Sequence, residues 1–187
     1  MLSRAIGRAA TTLLVVAALA LACWFAFSFI AGATLITFCT GSMSPTMPRG
    51  TLAVTLPLKA NELELGDVVT VQRAGEVLPI THRVVAIGPV EAQAPGAPEL
   101  RATAPGGGPP DLADPSARRI VLQGDDNDGP DRLPYLVTDV RKVVFAAPYA
   151  GNAVMLLQSP IGMGALIVAV GLLTTWAFWP KRAEEDS

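Results

Sequence analysis

Apolar residues lie in blocks along this chain. From Ala9 to Pro48 no charged residue occurs, and Thr11 to Phe38 is almost unbroken hydrophobic sequence. A helix rises ~1.5 Å per residue and a bilayer core is ~30 Å thick, so about 20 such residues cross it. The pattern predicts a transmembrane helix over 11–38. A second uncharged block, Ile161 to Trp179, predicts another over 161–179, with Trp176 and Trp179 suited to the interface. Between the blocks the pattern changes to short β-branched runs. Thr51–Leu56 reads as a strand ended by Pro57, and Val68–Gln72 as a strand after a turn at Gly66-Asp67. Val77–Ile87, Arg119–Gln123 and Arg141–Ala146 read as three more. Gly, Pro and Asp punctuate them, which suggests a small sheet or barrel-like sandwich, mainly β. Residues 89–118 are rich in Pro, Ala and Gly and read as a flexible surface insertion. A turn at Pro148-Tyr149-Ala150-Gly151 precedes Asn152–Gln158, read as a short helix grazing the membrane.

Flanking charge orients the blocks. Arg4 and Arg8 precede the first, and Lys181 and Arg182 follow the second. The positive-inside rule puts 1–10 and 180–187 in the cytoplasm and 39–160 outside. The ten Arg and Lys of that outer segment do not oppose export, because long loops cross largely regardless of charge. The first block exceeds a signal peptide's ~7–15-residue apolar region, which favours an uncleaved anchor. Ala20-Leu21-Ala22-Cys23 faintly resembles a lipobox, but the residues after Cys23 stay apolar.

Composition narrows the function. Of 187 residues, 51% are hydrophobic and only 16% charged, so a disordered charged tail is excluded. The net charge of −2 leaves no nucleic-acid footprint. Two cysteines, Cys23 and Cys39, and one histidine supply neither a disulfide framework nor an ordinary zinc site. No metal or organic cofactor is expected.

The outer segment does hold groups for nucleophilic catalysis. Thr40-Gly41-Ser42-Met43-Ser44-Pro45-Thr46 directly follows the first apolar block. The single imidazole sits in Thr81-His82-Arg83-Val84. An acidic loop runs Gly124-Asp125-Asp126-Asn127-Asp128-Gly129-Pro130-Asp131. A serine needs a base to take its proton, and an imidazole needs a carboxylate to fix its tautomer. Each feature also has a plainer reading: a helix exit, a structural histidine and a solvated turn. The acidic loop is calcium-like in spacing but lacks the terminal Glu and flanking helices of an EF-hand. Asp126 and Asp128 crowd it with like charge. Met43 and Met47 suit lipid contact or an apolar pocket, with core packing the simpler reading of each.

Together these stretches resemble type I signal peptidases, in the endoplasmic-reticulum and archaeal-like branch. Gly41-Ser42-Met43-Ser44-Pro45-Thr46 is similar to that family's Ser-Met-x-Pro box, with Ser42 in the nucleophile position. Gly66-Asp67-Val68-Val69 is similar to its Gly-Asp strand box, and Thr81-His82-Arg83-Val84 to the box where this branch carries His in place of Lys. Gly124-Asp125 with Asn127 and Asp131 is similar to the acidic box. The insertion after His82 departs from a compact member. The resemblance implies a signal-peptidase-like extracytoplasmic β domain anchored by two transmembrane helices in the plasma membrane. It implies a serine endopeptidase that removes signal peptides from preproteins emerging from the translocon. Ser42 would attack, His82 would be the base, and the Ser42 N–H with the Thr40 hydroxyl would bind the oxyanion. The resemblance points to both Asp125 and Asp131. Asp131 is preferred as the partner of His82 with Asp125 supporting the loop, and that ranking stays open. Ser44 remains a rival nucleophile. Two competing readings are a Ser/Lys hydrolase using Lys59 or Lys142, and a non-enzymatic β domain that binds a protein partner or calcium.

Overall fold

The first apolar block does not form a single element. In the computed structural model, which describes residues 2–90 and 98–178, helix α1 spans Leu2–Ala31. Its stretch Thr11–Ala31 is apolar and long enough to cross a membrane. Gly32 ends it with φ +63, the left-handed conformation that glycine supplies after a helix C-terminus. Ala33 is buried, and strand β1 follows at Thr34–Thr37. The expected helix over 11–38 is therefore corrected: its last quarter is strand and loop. Thr-Leu-Ile-Thr carries no charge and continues the apolar run, so hydropathy alone does not mark the change, whereas its β-branched residues suit a pleated surface.

Seven further strands build the β domain: β2 (Leu52–Lys59), β3 (Val68–Arg73), β4 (Ile80–Gly88), β5 (Leu100–Thr103), β6 (Arg118–Gln123), β7 (Tyr135–Val137) and β8 (Asp139–Ala147). Five of them close a barrel in the order β3-β4-β6-β7-β5, with β5 returning to β3. The β5–β7 pairing is parallel and the others in the ring are antiparallel. Val69, Val71, Val84, Ile120, Leu122, Tyr135 and Val137 fill the interior. Beside the ring, β8, β2 and β1 form a three-stranded wing joined through β8 to the first half of β3.

Pro57 does not end β2. It pairs with Arg141 in β8, beyond the end of β1, where its missing N–H costs no ladder bond. The 89–118 stretch is also corrected in part. Its Leu100–Thr103 is the strand that closes the barrel, and Ala102, Ser116 and Ala117 are buried. Alternating Leu100 and Ala102 supply an inward face that overall composition conceals. Residues 91–97 lie outside the described residues.

Leu35, Val54 and Phe145 stand opposite one another across β1, β2 and β8 and so share a face. Leu35 and Phe145 are 47% and 62% exposed. After β8 come α2 (Ala150–Gln158) and α3 (Pro160–Phe178), bent by 79° at their junction. Taken together as a bent pair they have the length and apolarity of a span. Trp179, Lys181 and Arg182 fall outside the described residues, with the rest of 180–187.

Candidate active site

The Ser42 turn is fixed by what lies beside the hydroxyl. Met43 is fully buried against Phe38, Ala53 and Val68, a second apolar cluster under the wing. Ser44 N–H donates to the Gly41 carbonyl (2.8 Å) and Met47 N–H to that of Met43 (2.8 Å). The acidic loop docks from the other side, where Asp126 N–H donates to the Ser42 carbonyl at 3.0 Å. Met43 is therefore an anchor, not a lipid contact. Met43→Ala should lower stability by about 2–5 kcal/mol, as deletion of a large buried side chain does, read from the thermal midpoint of the detergent-solubilised chain.

His82 lies on β4 opposite Val69 of β3 and shares its face with Ile80 and Val84. That places the imidazole at the rim of the barrel interior, where 12% of its side chain is exposed. Its Nε2 is 3.3 Å from Ser42 Oγ, and its Nδ1 is 3.0 and 3.1 Å from the two oxygens of Asp131. A carboxylate only accepts, so the shared proton belongs to Nδ1 and neutral Nε2 faces the hydroxyl. Asp131 is set at the end of β6, where its N–H donates to the Leu122 carbonyl (2.8 Å). The Tyr135 hydroxyl donates to its Oδ2 (2.8 Å). Burial opposes the charge on Asp131, but the hydrogen bonds from His82 and Tyr135 outweigh it and hold the carboxyl below the usual range. Burial, and then the bond to Asp131, push the Tyr135 phenol far up, so it stays a donor.

The other acidic candidate is elsewhere. Arg83 follows His82 on the strand and points the opposite way. Its Nε and Nη2 donate to Asp125 Oδ1 and Oδ2 at 2.8 and 2.6 Å, and its Nη1 to the Gly66 carbonyl at 2.8 Å. Thr46 also donates to Asp125. The Arg83 hydrogen bonds, against the desolvation of partial burial, hold Asp125 below the ordinary carboxylate range. Asp125 thus ties the Ser42 turn to β4 through Thr46 and Arg83, while the backbone bond to the Ser42 carbonyl comes from the neighbouring Asp126. Among the described residues, no group of three or more His, Cys, Asp or Glu is arranged to hold a metal ion.

Because both carboxyls titrate lower folded than unfolded, each contributes stability that is present above ~3.9, the free Asp value. That contribution is lost as pH falls through the folded values. Thermal midpoints should hold steady from neutrality to about pH 4 and drop below it. Asp125→Asn should soften that acid drop while lowering the neutral midpoint.

The Thr40 hydroxyl lies 3.4 Å from Ser42 Oγ, and among the described hydrogen bonds the Ser42 N–H has no acceptor. The rival lysines are engaged: Lys142 Nζ with Asp67 (2.7 Å) and Lys59 Nζ with Asp139 (2.9 Å). The hydrogen bond to Asp139 raises the pKa of Lys59, which keeps it protonated and unable to accept a proton. Ser44, half-buried, is not the hydroxyl that meets His82. A cleft of ≈ 350 Å³ opens at Ser42 and His82, walled by Ile36–Thr40 on one side and Leu78–Thr81 on the other. Sequence reasoning missed Tyr135 and, although it quoted Arg83, Thr46 and Gly124 within the candidate stretches, gave them no role. Their one sequence signal is proximity to a candidate: Arg83 next to His82, Tyr135 four residues after Asp131. No protein-family model matches the chain, and no curated protein matches it either.

Proposed function

We propose that the chain is a membrane-anchored serine endopeptidase that cleaves signal peptides from exported preproteins. The observation that carries this reading is the hydrogen-bonded line Ser42 Oγ–His82 Nε2 and His82 Nδ1–Asp131. Ser42 Oγ attacks the scissile carbonyl while Nε2 takes its proton, and Asp131 stabilises the imidazolium. The oxyanion accepts from the Ser42 N–H and the Thr40 hydroxyl, each donor being worth ~3 kcal/mol of transition-state stabilisation. His82 then protonates the leaving amine as the C–N bond breaks. Water, deprotonated by the same nitrogen, releases the acyl group and restores Ser42.

Placement supports the substrate class. β1, one wall of the cleft, starts three residues beyond the end of α1. It is the outermost strand of the wing, with an edge free to pair an extended peptide. The apolar row Leu35–Val54–Phe145 and the α2–α3 pair leave the same wing, which suits a domain seated on the outer bilayer surface. A signal peptide ends its own apolar helix at that depth. Two anchors in one membrane raise the local concentration and so replace binding energy.

The test is the full chain reconstituted in lipid vesicles with a labelled preprotein. Appearance of the mature product and the freed signal peptide is expected. A precursor that stays intact under conditions in which the β domain is folded overturns the reading.

A further inference from the structure

The Asp131–His82 contact has an unfixed degree of freedom. Nδ1 lies almost equally far from both carboxylate oxygens (3.0 and 3.1 Å), so that contact alone allows the carboxylate to rock about its Cβ–Cγ bond. Tyr135 removes the freedom by donating to Oδ2 at 2.8 Å. The phenol is itself immobile. It is 1% exposed in the barrel interior, and its strand is held by β6 on one side and β5 on the other. The Arg73 guanidinium lies 5.9 Å from the ring centroid and is anchored in turn by Glu76 (2.8 Å), a residue of the cleft wall.

We propose that Tyr135 is a positioning residue that aims the Asp131 carboxylate and through it fixes the tautomer of His82. The proposal rests on the reading of Ser42, His82 and Asp131 as the reacting line. The plainer alternative is that a buried hydroxyl simply needs an acceptor and Asp131 is the nearest. The two differ in what removal of the hydroxyl does to the imidazole.

The chain contains one histidine, so ¹⁵N-histidine labelling of the full chain reports His82 alone and needs no substrate. Wild type should show the Nδ1–H tautomer with that proton shifted downfield. Tyr135→Phe, which keeps the ring, should give mixed tautomers and lose the downfield proton. Its kcat should fall about tenfold with KM changed by less than about twofold. The acid limb of kcat/KM should move to lower pH, because a carboxylate out of line with Nδ1 stabilises the imidazolium less. Leu136→Ala, a buried neighbour on β7, is the packing control: it should lower the thermal midpoint and leave tautomer and limb in place. Wild-type imidazole signals and an unmoved limb in folded Tyr135→Phe would overturn the proposal. If Tyr135→Phe does not fold, fluorotyrosine incorporated in a Tyr149→Phe background decides. A stronger phenol donor should shift the Nδ1 proton upfield, and an unmoved resonance sinks the proposal. Equal cleavage by wild type and Ser42→Ala would instead remove the peptidase reading and leave the tautomer result standing.

Discussion

Ser42→Ala should lower preprotein cleavage by a factor of about 10⁴ or more, and His82→Ala by a similar factor. The double variant should be little worse than either, because nucleophile and base act as one unit and the second loss has nothing left to remove. Ser44→Ala, Lys59→Ala and Lys142→Ala should each retain cleavage within an order of magnitude. Their side chains turn elsewhere: the lysines are bound to Asp139 and Asp67, and His82 meets Ser42. Single-turnover assays with a labelled preprotein in vesicles separate these outcomes, since KM then carries no burden of interpretation. If Ser42→Ala matches wild type while Ser44→Ala is dead, the nucleophile has been misplaced by two residues. If a lysine variant is dead and His82→Ala active, the base has been misassigned.

Much of the β domain was legible because its strands are β-branched runs separated by turn residues, as at Val68–Arg73 and Arg118–Gln123. The three strands that escaped lack a readable local signal of their own. Tyr135–Val137 is only three residues long and is ordered by pairing with β6 and β5. Thr34–Thr37 continues an apolar run, and only Gly32 marks the place where helix gives way to strand. Leu100–Thr103 lies among Pro, Gly and Ala, and what orders it is non-local: pairing with β3 and β7 closes the barrel. The same division holds at the site. Residue types named Ser42, His82 and an aspartate, but the roles of the two aspartates depend on which face of β4 each meets. His82 and Arg83 are consecutive and therefore point to opposite faces, so one collects Asp131 and the other Asp125. No spacing rule encodes that division, because it depends on how the loop after β6 folds over the Ser42 turn.

That loop folds closely over the turn only because residue 124 has no side chain, and Gly124→Ala should therefore damage catalysis out of proportion to its size. A Cβ built at Gly124 would stand 2.5 Å from the Ser42 carbonyl oxygen and 2.9 Å from Asn127 Nδ2. Backbone cannot swing aside as a long side chain can. Either the loop lifts and the Asp126-to-Ser42 bond is lost, or the Ser42 turn is pushed outward. Both outcomes lengthen the 3.3 Å contact between Ser42 Oγ and His82, and displacement by about 1 Å costs on the order of 10²-fold in rate. The overpacking itself should lower stability by roughly 1–3 kcal/mol. Gly129→Ala, in the same loop, is the matched control. Its Cβ would meet nothing within 4 Å, so rate and thermal midpoint should both stay near wild type. A Gly124→Ala chain that cleaves as fast as the Gly129→Ala chain would mean that the acidic loop does not hold the serine in place, and that the nucleophile's position is set by the Met43 anchor alone.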